Sequence, residues 1–139
     1  MLQQFQHQLI VTSTGRGFYD ITPDVAQFVA EQGVEMGIVH LFVKHTSCSL
    51  LVQENADPDV RDDLETFLSQ LIPESATYRH QNEGPDDMPS HIRTALTQVS
   101  LSIPVHAGTL TLGTWQSIFL YEHRAARFQR HIQLHLIGE

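Results

Sequence analysis

At 139 residues with 41% hydrophobic content, the chain fits one compact domain, residues 1–139, with enough apolar material to bury a core without staples. Its single cysteine, Cys48, excludes an internal disulfide. No segment has the charged start and apolar core of a signal peptide or the length of a membrane span, so a soluble cytoplasmic protein with no membrane partner is expected. The formal net charge of −8 argues against a nucleic-acid partner, whose phosphates demand cationic contacts, but leaves room for a small anion.

The charge is uneven. Residues 54–87 hold ten acids against Arg61 and Arg79, whereas residues 88–139 hold four arginines against Glu122 and Glu139. Lys44 is the one lysine, which leaves arginine and histidine as the main anion partners.

Leu2 to Thr12 places Phe5, His7, Leu9 and Val11 at alternate positions, the period of a strand with one face on a core. Thr14-Gly15-Arg16-Gly17 turns the chain. Thr22-Pro23-Asp24 then supplies a capping residue, a proline suited to the first helical position and an acid at the positive helix end, with Val25, Phe28 and Val29 on one side and Gly33 as the stop. Ile38 to Val43 is short and almost continuously apolar and reads as a central strand, followed after a turn by Ser49 to Gln53.

Asp57-Pro58-Asp59 opens the clearest helix. In it Val60, Leu64, Phe67, Leu68 and Leu71 fall at helical spacing, with the acids mostly opposite as a solvated face. Pro73 to Pro89 is the least regular stretch, and a connection that long in a compact domain is often functional. It carries Tyr78-Arg79-His80 and runs up to His91, after which Ile92, Ala95, Leu96 and Val99 predict a short helix, so that both histidines face one cleft. From Leu101 onward the pattern is strand: Leu101 to Val105, a Gly108 turn, Thr109 to Leu112, Trp115 to Tyr121, and His131 to Ile137. In the last of these His131 and His135 fall on the wetter face. Strands first, helices in the middle and strands last predict an α+β fold, a largely antiparallel β-sandwich with two or three helices.

The segment His45-Thr46-Ser47-Cys48-Ser49 sets imidazole, hydroxyls and thiol at the end of an apolar strand, where desolvation is costly unless partners are met. His45, His80 and His91 are 35 and 11 residues apart, which matches no local zinc signature; each nevertheless adjoins polar groups at the end of an element. Either the three hold a divalent metal ion, or His45 makes a strand-end hydrogen bond and the other two are solvated. Glu54 and Asp57 follow closely, with helix capping the better role for Asp57. Arg124, Arg127 and Arg130 gather just before the last strand, where they either aim guanidinium groups at phosphate or form ion pairs in a solvated turn. Gly113 next to Thr114-Trp115-Gln116 marks a bulge or a close backbone approach.

Taken together, His45-Thr46-Ser47-Cys48-Ser49-Leu50, Asn55, Asp57-Pro58-Asp59-Val60, Asp63-Leu64, Tyr78-Arg79-His80, His91, Ser102-Ile103-Pro104-Val105, Gly108, Leu112-Gly113-Thr114-Trp115-Gln116 and Glu122-His123-Arg124 resemble the YjbQ family, also described as secondary thiamine-phosphate synthase enzymes. The resemblance runs through most of the chain. It departs at Asp86-Asp87-Met88-Pro89-Ser90, where family members often have an asparagine-rich stretch. It implies a compact α+β sandwich that assembles as a homotrimer. It also implies a shared pocket in which His45, Ser47, His80 and His91 are catalytic, the three histidines hold a Mg or Zn ion, and Trp115, Gln116, Arg124 and Arg130 bind a phosphorylated small-molecule substrate.

The implied reaction is an alkyl transfer joining a pyrimidine methyl diphosphate to a thiazole phosphate, releasing pyrophosphate. Two other accounts use the same pocket: a metal-dependent phosphate-ester hydrolase with Glu54 activating water, and a non-catalytic trimeric module that binds a small anion.

Overall fold

The computed structural model describes residues 1–139. In chain order the elements are β1 (Gln3–Thr12), β2 (Gly17–Asp20), α1 (Thr22–Glu31), β3 (Met36–Val43), β4 (Cys48–Glu54), α2 (Pro58–Leu71), α3 (Asp87–Leu96), β5 (Ser100–His106), β6 (Thr109–Leu110), β7 (Gln116–Glu122) and β8 (Gln129–Gly138). Five strands form one sheet in the order β1-β8-β3-β5-β6 and three form a second in the order β2-β7-β4, every pair antiparallel. The α+β sandwich expected from the pattern is therefore the observed fold. No helix is long and apolar enough to cross a membrane.

The core lies between the sheets. Alternation delivers Val39, Leu41 and Val43 from β3, Ile132, Leu134 and Leu136 from β8, and Leu50, Ile118 and Leu120 from the facing sheet into one apolar cluster, sealed at one end by Val25, Phe28 and Val29 of α1. Gly37 and Gly138 face each other in register where β3 meets β8, and a side chain on either would run into the other's backbone.

Several local expectations change in the folded chain. The β3 run is central in its sheet but buried on one face only: Ile38 and Phe42 point outward, 43% and 51% exposed, because no layer of the chain covers that face. Helical spacing in α2 is correct, yet no residue of α2 is buried, and Phe67 and Leu71 are largely exposed. The side of α3 that turns inward is mostly polar, burying Asp87, Ser90, Arg93 and Thr94 along with Pro89 while Ala95 and Leu96 stay outside. Thr22 does not cap α1; its hydroxyl instead accepts from the Ile118 N–H at 2.7 Å. The strand expected from Trp115 begins at Gln116, because Gly113, Thr114 and Trp115 form a turn closed by the Gly113 N–H donating to Gln116 Oε1 at 2.8 Å.

Candidate metal centre

Asp87 opens α3, and His91, four residues later, falls on the same side of the helix. The connection from α2 returns His80 to that point. Asp87 Oδ2 lies 2.6 Å from His80 Nε2 and 3.1 Å from His91 Nε2, and the three donor atoms lie within 4.8 Å of one another. The other face of the carboxylate is held by Arg124, whose Nη1 donates to Asp87 Oδ1 at 2.7 Å while its Nε donates to Asp86 Oδ2 at 3.0 Å. His91 is fixed from behind, its Nδ1 donating to the Thr46 carbonyl at 2.7 Å. Since a carbonyl only accepts, Nδ1 carries the proton, and a neutral His91 aims the lone pair of Nε2 at the Asp87 carboxylate.

The electrostatics follow from these contacts. The hydrogen bond to Asp87, reinforced by the Asp87 and Glu83 charges, raises the His80 pKa above its usual 6.5. Burial pushes the Asp87 carboxyl up, but His80, His91 and Arg124 outweigh it and hold the pKa below 3.8. Two separate cavities border the cluster, each through one of its histidines. One, of about 460 Å³, is lined by His80 together with Tyr78, Gly84 and Met88; the other, of about 640 Å³, is lined by His91 together with His45.

Behind the cluster is a buried polar network. Arg130 grips Glu122 through two nitrogens, Nε to Oε1 at 2.8 Å and Nη2 to Oε2 at 2.6 Å, and Ser13 Oγ donates to the same carboxylate at 2.6 Å. Arg130 Nη2 also donates to Ser47 Oγ at 3.0 Å. Ser49 Oγ lies 2.8 Å from His123 Nε2, but both residues are wholly buried, so no substrate reaches this Ser–His pair. Burial and the nearby Arg93, Arg16 and Arg130 press the His123 pKa down to about 3, keeping the ring neutral. Burial raises the Cys48 thiol to about 12, which removes it as a nucleophile.

Of the residues singled out from the sequence, the structure brings His80 and His91 together and sets His45 apart. The Nε2 of His45 accepts from the His131 N–H at 2.8 Å, outside the three-donor group, although its ring lines the cavity that His91 borders. Ser47 and Arg130 are buried against each other, and Arg124 is committed to Asp86 and Asp87. Trp115 and Gln116 lie at the start of β7, roughly 20 Å of strand away from Glu122 at its other end, given about 3.3 Å per residue. Glu54 pairs with Gln116 at that same far end, its carboxylate accepting from the Ala56 and Asp57 N–H groups.

Sequence reasoning named Asp87, Glu122 and His123 in passing but gave none of them a role in the site. For Asp87 a signal existed: an aspartate and a histidine at i and i+4 form a ligand pair once the helix start is placed ahead of Pro89 rather than after His91. It also lies in the segment where the chain departs from the resembled pattern. Glu122 had no such signal, because its partner Ser13 is 109 residues away.

The family model for UPF0047 YjbQ-like proteins matches residues 7–139. The UPF0047 protein of Synechocystis is 47% identical, over 99% of this chain and 94% of its own length, and YjbQ of Escherichia coli O157:H7 is 42% identical, over 97% and 99%. Among solved structures, a YbjQ-like protein of unknown function from Sulfolobus solfataricus superposes with a TM-score of 0.90 at 29% identity, covering 100% of both chains. A conserved hypothetical protein from Thermus thermophilus superposes at 0.81 with 35% identity, covering 92% of this chain and 97% of its own.

Proposed function

Because the chain belongs to the YjbQ-like family of UPF0047 proteins, we propose that it is an enzyme acting on phosphorylated small molecules at a divalent ion held by His80, Asp87 and His91. The observation that carries this reading is the shared Asp87 Oδ2. Two imidazole nitrogens approach it at 2.6 and 3.1 Å, and the proton of His91 is already committed to Thr46. A lone pair and a carboxylate oxygen repel at such distances unless a cation or a proton lies between them. Two imidazoles and one carboxylate would suit zinc better than magnesium, which favours an oxygen shell.

When bound, such an ion supplies Lewis-acid stabilisation of charge on a departing phosphate oxygen. The chain's own residues do the positioning. Arg124 orients the Asp87 carboxylate, and the Thr46 carbonyl fixes the His91 ring.

The reaction we assign is alkyl transfer between two substrates. The C–O bond of a pyrimidine methyl diphosphate breaks, pyrophosphate leaves with the electron pair, and the thiazole nitrogen of a thiazole phosphate forms the new C–N bond. Support comes from the two cavities bordering the cluster, one on the His80 side and one on the His91 side, as a two-substrate reaction requires. The hydrolase reading is less well supported, since Glu54, its expected base, accepts backbone hydrogen bonds at the far end of β4.

The test is to give the purified protein both precursors with Zn²⁺ or Mg²⁺. Thiamine phosphate and equimolar pyrophosphate, formed only when both precursors are present, are expected. Phosphate release from a single ester would establish the hydrolase instead, and saturable binding without turnover the anion-binding module. We also propose a homotrimer assembled through the outer face of the five-stranded sheet, where Ile10, Met36 and Ile38 are exposed.

A further inference from the structure

The cavity on the His91 side is a groove between the end of β3 and α3, with Phe42, Val43, Ala95 and Val99 among its lining. Its volume of about 640 Å³ is that of a site for a small organic ligand, within the usual range of about 300–1,000 Å³. Most polar side chains on its walls are spent on the protein. Lys44 Nζ donates to Gln8, Thr94 Oγ1 to the Ser90 carbonyl and Thr97 Oγ1 to the Arg93 carbonyl.

His45 differs. Its Nε2 accepts the His131 N–H, so in the neutral ring the proton resides on Nδ1, a fixed donor with no partner in the chain. Burial and the neighbouring Arg130 lower the His45 pKa, which favours that neutral form. His91 belongs to both the groove and the Asp87 cluster, so the two adjoin at that side chain.

We infer that the groove takes the uncharged planar ring of a phosphorylated substrate, with His45 Nδ1–H donating to a ring acceptor, Phe42 and Ala95 flanking the ring, and the phosphate lying toward His91. This rests on the reading of the cluster as the centre that handles phosphate. It assigns His45 to substrate recognition rather than to metal ligation.

Calorimetric titration of the full-length protein with benzyl phosphate, the pyridylmethyl phosphate isomers and inorganic phosphate tests it, each with and without Zn²⁺. Benzyl phosphate is expected to bind at least about tenfold more tightly than inorganic phosphate, equivalent to ~1.4 kcal/mol. At least one pyridyl isomer is expected to bind more tightly still. Ala95→Trp, which fills the groove, should bring benzyl phosphate down to the affinity of inorganic phosphate while Zn²⁺ affinity is unchanged, and His45→Phe should erase the pyridyl preference. Equal binding of benzyl and inorganic phosphate by the wild type, or undiminished benzyl binding by Ala95→Trp, would overturn the inference. A benzyl preference that persists in a protein unable to bind Zn²⁺ would keep the groove and discard the metal.

Discussion

Asp87 concentrates the chemistry of this molecule in one side chain: one oxygen is held by Arg124 and the other is shared by two imidazoles. If the cluster holds Zn²⁺ as proposed, Asp87→Asn is expected to weaken its binding by about 100-fold or more, read by calorimetry, because a ligand charge is lost along with the group that orients both rings. If the cluster holds Zn²⁺, protons compete with it at His80, whose pKa Asp87 raises above the usual 6.5. Zn²⁺ affinity should therefore climb as pH rises through and past that value. The midpoint of the climb should move down in Asp87→Asn, since the partner that raises the pKa has gone.

His123, whose pKa is shifted the other way, couples to pH through stability. Below about 6.5 the unfolded chain takes up a proton that the folded ring refuses until about 3, so this residue costs stability as pH falls across that window. The urea midpoint should drop less between pH 7 and pH 4.5 in His123→Gln, which keeps a donor toward Ser49, than in the wild type.

At the scale of elements, the joint between β7 and β8 is a buried ion pair in which Arg130 Nε and Nη2 grip both oxygens of Glu122. Glu122→Gln leaves the Arg130 charge uncompensated beneath 4% exposure and should cost about 3–5 kcal/mol, measured by denaturant unfolding. Asp57 gives a smaller effect of a different kind. Its side chain accepts the Asp59 N–H at 2.9 Å at the start of α2, and Asp57→Ala should cost roughly 1 kcal/mol while leaving Zn²⁺ affinity intact.

The two residues also differ in how legible they were. The Asp-Pro-Asp cap is a contact between neighbours in sequence, so composition alone revealed it. Glu122 meets Ser13 and Arg130 only after β7 and β8 have found their places in different sheets. The inward side of α3 was hidden for the same reason. Its apolar spacing predicts a helix after His91, whereas the observed one runs Asp87–Leu96 and leaves Val99 outside, and Arg93 turns toward Glu65 and Ser69 of α2, contacts no local pattern encodes.

For the molecule as a whole, the outer face of the five-stranded sheet carries exposed Ile10 and Ile38 among polar neighbours and has no covering layer. If copies pack there, Ile38→Glu should lower the mass measured by light scattering from three times 15.7 kDa toward that of a single chain, with the fold retained by circular dichroism. Strand and helix periods, the proline and aspartate at helix starts and the ordered run of motifs were enough to determine the sandwich and the family, because each depends on residues close together in the chain. Convergence of His80, Asp87 and His91, the separation of His45 from them and the distance of Trp115 from all of them depended on how the sheets and α3 pack. Only tertiary structure decides which of many distant polar groups become neighbours, since burial selects partners by position in space and not along the sequence.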